Sequence, residues 1–287
     1  MDIETFKKHG LDQAWGDLHV QDYRVNERSN AEILKALDTV GDVQYNPCPE
    51  AYEREGVATG QVVRFKHWDQ SAVFAGTRRD IWVYQSGAPD TAEPLNLMVF
   101  NDGPGYLARS GPVRATTVLD NLVHAGELGP TLAVFVNPGL PPNIELPEPG
   151  QRPDPMAMQQ RSVEYDSCDD RYLRFLLDEL LPFVTREMDV AISEDPADRL
   201  ICGISSGGIC AFNAAWHGPE HFGRVISHCG SFTNIRGAHN YPYLIRSTPR
   251  KALKVFLQSG ELDADIVTGS WALANQQMAA ALNFAGY

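Results

Sequence analysis

The chain has 287 residues, with 24 Lys and Arg against 37 Asp and Glu, a net charge of −13 and an apolar fraction of 43%. That balance excludes an electrostatic nucleic-acid binder, whose partner demands a basic face, and docking on anionic lipid, which recruits Lys and Arg clusters. What remains is a folded acidic globule with a sizeable core, of a length within the range of one large α/β unit. The five cysteines are an odd number and thin for the length, so they read as free thiols in a reducing compartment. Neither a CxxC pair nor Cys/His zinc spacing occurs, so no metal and no cofactor is expected. Residues 1–20 lack the apolar core of a signal peptide, and no apolar run approaches the roughly 18 residues of a membrane span. The expected location is the cytoplasm.

Residues 1–60 are polar and weakly patterned and read as an N-terminal extension, with a short helix near 30–37 and a proline-flanked loop around Cys48. Strands are expected at 61–66, 80–85, 95–101, 131–137, 199–204, 224–229 and 253–259. Leu97-Met98-Val99-Phe100 and Leu132-Ala133-Val134-Phe135-Val136 are continuous apolar runs, as in central strands covered on both faces. Between them lie helical patterns at 113–125, 170–188, 206–216 and 271–285. In the second, Asp169 or Asp170 caps the start and Pro182 should kink or restart the helix. Strands alternating with helices predict a largely parallel sheet with helices on both faces over residues 61–287. The first two strands have no helix between them and should form an antiparallel hairpin at one edge. Seven prolines crowd residues 138–155, a segment that reads either as a semi-rigid wall over a pocket or as a plain surface loop.

Gly203-Ile204-Ser205-Ser206-Gly207 follows an apolar strand and opens a small-residue helix. A G-x-S-x-G at such a turn is a nucleophile elbow, with Ser205 at its tip and the backbone N–H of Ser206 offered to an oxyanion. A second oxyanion donor should come from the loop after an earlier strand. Asn101-Asp102-Gly103-Pro104-Gly105-Tyr106 is that loop; Pro104 has no N–H, so Gly103 or a neighbour would donate. The acid should follow a later strand, where Gly260-Glu261-Leu262-Asp263-Ala264-Asp265 offers Asp263, with Glu261 and Asp265 as substitutes.

These blocks resemble the enterochelin esterase-like branch of the esterase D family. The likeness extends through Arg161-Ser162-Val163-Glu164-Tyr165-Asp166, Ser227-His228-Cys229-Gly230-Ser231-Phe232, Phe256-Leu257-Gln258-Ser259-Gly260, Trp271 and Ala274-Asn275-Gln276-Gln277-Met278. It implies an α/β-hydrolase fold, a small-molecule carboxylic ester as substrate (siderophore-type or sugar-linked), Ser205 as nucleophile and Asp263 as acid. It also implies that Arg161 and Glu164 lie beside the active site, with Tyr106 as a further substrate contact.

One element of the pattern is not met. The order in this fold is nucleophile, acid, histidine, yet no histidine follows Asp263. The expectation is a sheet short of its C-terminal strand. Three readings stay open: a piece of a longer esterase, substitution by His228 or His239, or a hydrolase fold that binds ligand without turnover.

Overall fold

The computed structural model describes residues 24–25, 28–29, 47–86, 93–109, 111, 113–145 and 154–287. The helix expected near 30–37, and with it most of the proposed extension, lies outside the described residues.

The main sheet has seven strands. In chain order they are β1 (Gln61–Trp68), β2 (Arg79–Gln85), β3 (Asn96–Asn101), β4 (Thr131–Val136), β5 (Arg199–Ile204), β6 (Arg224–His228) and β7 (Lys254–Gln258). Their spatial order is β1-β2-β4-β3-β5-β6-β7. β1 and β2 form the expected antiparallel edge hairpin, and β2 also pairs antiparallel with β4. Every other pairing is parallel. The strands match their expected positions to within about two residues, and the central ones carry apolar runs covered on both faces. β4, for instance, is buried along its whole length.

Alternate residues feed two cores. On one face Val83, Val99, Val134, Ile201 and Val225 pack beneath most of the helices. On the other, Phe100, Phe135 and Cys202 meet Tyr106 and helix α1 (Ala115–His124). The remaining helices are α2 (Pro155–Tyr165), α3 over residues 171–188, α4 (Ser206–His217), α5 (Tyr241–Ser247) and α6 (Trp271–Phe284). In α3, Phe175–Leu180 winds as a π-helix before α-helix resumes at Leu181–Met188. Pro182 explains the widening: it gives no N–H to the preceding turn, and its ring would press on the carbonyl four residues back. The expected kink is therefore absorbed as a π turn rather than a break. α2 is an addition to the expected elements. Asp154 accepts from Met156 N at 2.8 Å and Pro155 takes the first helical position, so the last proline of the crowded segment starts a helix.

Candidate active site

β5 runs directly into Ser205, which sits at φ 57°, ψ −121°. Such a backbone costs a non-glycine residue on the order of 1–3 kcal/mol and persists only where its surroundings impose it. Here they do. Ser205 N donates to His228 O at 2.9 Å, and Ser205 O accepts from Ser231 N at 3.1 Å and from Gly208 N at 2.9 Å. The turn is also sterically exclusive: a Cβ on Gly203 would stand 2.1 Å from Gly207 O. Asn101 ties the turn to the neighbouring strand, donating to Gly207 O at 3.0 Å while accepting from Tyr172 Oη at 2.6 Å. Helix α4 begins immediately, so the first-turn N–H groups of Ser206 and Gly207 face outward without intrahelical partners.

Asp263 stands in the turn after β7. One oxygen, Oδ2, accepts from Ser259 Oγ at 2.6 Å and Gly260 N at 2.7 Å. Oδ1 is left for another partner. Asp263 shares with Ser205 a cavity of about 170 Å³ whose walls include Arg161, Ser206, Cys229 and Trp271. Glu261 and Asp265 are exposed and line no part of it. Three larger cavities, of about 400, 410 and 300 Å³, are lined by neither Ser205 nor Asp263.

Arg161 enters the cavity from α2. It grips Asp102 with two bonds, Nε to Oδ1 at 3.1 Å and Nη2 to Oδ2 at 2.7 Å. Burial works against its charge, but the Asp102 carboxylate outweighs that and holds the guanidinium firmly protonated.

Three of the expected contacts are placed elsewhere. Gly103 donates its N–H to Val136 O at 3.2 Å, so the donor expected for the oxyanion is already engaged in the sheet. Its glycine has a packing reason instead, since a Cβ would lie 2.5 Å from Phe135 Cβ. Asp102 N is likewise engaged, with Tyr165 Oη at 3.2 Å. Glu164 is fully buried and pairs with Arg79 of β2, not with Arg161. It accepts from both Arg79 Nη atoms, Gly139 N and Gln160 Nε2, which locks α2 onto the sheet. Tyr106 is 2% exposed and its hydroxyl meets His228 Nδ1 at 3.2 Å, outside the cavity.

Neither substitute imidazole stands at the nucleophile. His228 gives its carbonyl to Ser205, but its ring bonds Tyr106 and packs edge-on against Phe256. Burial lowers its pKa. His239 is exposed on the turn Ala238–Asn240. Among the described residues no His, Cys, Asp or Glu group is placed to hold a metal ion. Of the crowded proline segment, residues 146–153 lie outside the described residues; Leu140 pairs with Arg78 in an isolated antiparallel bridge.

With the geometry in view, the comparisons are informative. The model of a family described as putative esterase matches residues 76–284. The chain belongs to this esterase family. An iron(III) enterobactin esterase of Dickeya dadantii is 29% identical over 225 residues, covering 73% of this chain and 45% of the relative. The enzyme of the same description from Escherichia coli K12 is 29% identical over 205 residues, covering 69% and 45%. The chain thus spans less than half the length of the curated relatives it matches. Among solved structures, the enterobactin esterase of Shigella flexneri aligns with a TM-score of 0.58 at 21% identity, over 83% of this chain and 54% of the other. A ferulic acid esterase gives 0.55 at 18%, over 79% and 87%. At those identities the likeness shows the fold, of α/β-hydrolase type.

The cavity adds residues to which the sequence pattern assigns no role. Cys229, Ser231, Ile235 and Trp271 line the cavity, and all except Ile235 fall in blocks that carry the resemblance, where they received no role. The available signal was position: the loop after β6 must pass the elbow because β6 neighbours β5.

Proposed function

We propose that this chain is a serine esterase acting on carboxylic esters through an acyl-enzyme on Ser205. The observation that carries the reading is Ser205, held in a left-handed backbone at a strand-to-helix crossing, sharing one cavity with Asp263. Ser205 Oγ would attack the ester carbonyl, and the developing oxyanion would be met by the N–H of Ser206 at the start of α4, where the helix dipole also favours negative charge. The C–O bond to the alcohol then breaks, and water releases the acid from Ser205. The second oxyanion donor is not one of the Asp102 or Gly103 N–H groups as they stand. Asp263 Oδ1 would accept from the N–H of a general base that takes the Ser205 proton and returns it to the departing alcohol, the part an imidazole plays in such triads. Siderophore-type esters are the proposed substrate class, since the relatives are described as enterobactin esterases. Five unpaired cysteines favour a reducing compartment, and so the cytoplasm.

One observation favours a second reading. No described imidazole bonds Ser205 or Asp263, and without a base a serine is an ordinary alcohol at neutral pH. A hydrolase fold that binds esters without turnover would look the same. Incubation with a fluorophosphonate and intact-mass measurement separates the two: the esterase adds one label, and Ser205→Ala adds none. An unlabelled wild-type chain would remove the esterase reading.

A further inference from the structure

A second hydroxyl stands at the elbow. Ser231 lies in the loop after β6, is 1% exposed, and holds its Oγ 3.2 Å from Ser205 Oγ. The same oxygen accepts from Trp271 Nε1 at 3.1 Å. An indole N–H can only donate, so that bond has one polarity and occupies a lone pair of Ser231. The Ser231 proton then needs an acceptor, because buried hydroxyls are not left unpaired. Ser205 Oγ is the acceptor within reach. The bonds therefore run from Trp271 N–H to Ser231 O, and from Ser231 O–H to Ser205 O. The Ser205 proton is left to point into the cavity it shares with Asp263. The backbone bond from Ser231 N to Ser205 O, 3.1 Å, fixes the two residues against each other.

We propose that Ser231 is a catalytic hydroxyl of this site and that Trp271 is the residue positioning it; this rests on Ser205 being the nucleophile. As the Ser205 O–H bond breaks, negative charge gathers on Oγ. A hydrogen bond donated to a charged oxygen is shorter and stronger than one to a neutral hydroxyl. The Ser231 interaction therefore grows toward the transition state, which is the condition for accelerating the step. Trp271 adds to it by polarising the hydroxyl from behind, as in a hydrogen-bond chain.

The test uses the whole chain and a fluorophosphonate. In that reaction a P–O bond forms at Ser205 Oγ, the P–F bond breaks with fluoride taking the electron pair, and the hydroxyl proton passes to water in the cavity. Ser231→Ala should lower the maximal labelling rate about tenfold or more and leave the reagent's half-saturation unchanged. It should also move the rise of the pH profile to higher pH. Ser231→Thr, which keeps the hydroxyl, should restore most of the rate. Trp271→Phe keeps a ring but loses the donor, and should cost about threefold in the same direction. Labelling of Ser231→Ala and Trp271→Phe within twofold of wild type, with thermal melting unchanged, overturns the proposal. If wild type takes no label, it is the nucleophile reading that fails, and the bonds are judged by the indole N–H resonances of the five tryptophans. A Trp271 signal that shifts in Ser205→Ala supports the chain of bonds; one that stays still overturns it.

Discussion

Ser205 and Asp263, the proposed nucleophile and acid, are held in place by opposite means. Ser205 leaves β5, a strand with neighbours on both sides, and its turn is clamped by bonds from β3, β6 and the loop after β6. Asp263 follows β7, the last strand of the described sheet, whose residues alternate between exposed and half-buried. Its carboxylate is held by Ser259 and Gly260, four and three residues away along the chain. The lesson is that a strained backbone needs the packing of the whole domain, whereas a carboxylate beside an edge can be fixed by its own turn. The nucleophile should accordingly respond to distant core changes, and the acid should not.

The largest expected effect tests the packed side. Arg79 and Glu164 are both fully buried, and the Arg79 guanidinium also lies 4.3 Å from the centre of the Phe175 ring. Removing one member of a buried pair strands the other charge, at a cost of about 3–5 kcal/mol. Glu164→Ala should lose that much in chemical denaturation. It should also slow Ser205 labelling, because α2 carries Arg161 into the cavity. A loss below about 1 kcal/mol would mean that α2 is not anchored by this pair.

An intermediate effect is expected from pH. Burial lowers the pKa of His228 in the folded protein. The unfolded chain then binds more protons than the folded one as pH falls below about 6.5, the ordinary histidine value. Stability must therefore rise with pH through this window and fall on acidification. Denaturation midpoints between pH 8 and pH 5 should drop less in His228→Gln than in wild type. Asp166 works in the opposite sense at lower pH. It is 1% exposed with neither oxygen hydrogen-bonded, and burial raises its pKa. Its contribution weakens as pH rises from the ordinary carboxylate range. Parallel curves for wild type and His228→Gln would show that the ring is not desolvated by Tyr106 and Phe256.

How much of this was legible follows the same division. β5 appears at its expected residues, 199–204, and the elbow was readable because its steric demand is written locally in glycines. Gly103 was misread because its need lies in another strand: Phe135 approaches it across the β3–β4 pair, and only the fold brings them together. Glu164 looked like a site residue through its neighbour Arg161, but its partner is 85 positions away. Helix α2 was hidden by the proline count, although Asp154-Pro155 is an ordinary cap followed by an ordinary first helical residue. Asp263, the proposed acid, was legible as a turn residue because its carboxylate bonds to Ser259 and Gly260 lie within four residues of it.

The smallest effect tests the edge itself. Phe256 is 56% exposed, and its ring packs edge-on against His228 at 6.5 Å between centroids. It lies in register with Ile226, on the same face as buried Phe135, but α1 covers only the other end of that face. Truncating a buried phenylalanine costs about 3–5 kcal/mol, and that loss is set by the contacts removed. Phe256→Ser removes few, so stability should move by no more than about 0.5 kcal/mol. Ser205 labelling should be unaffected, because Asp263 is held by its turn and not by the side chains of β7. A loss comparable to a core truncation would show that β7 depends on Phe256 for its position. The acid would then owe its place to the sheet after all, and the contrast with the nucleophile would collapse.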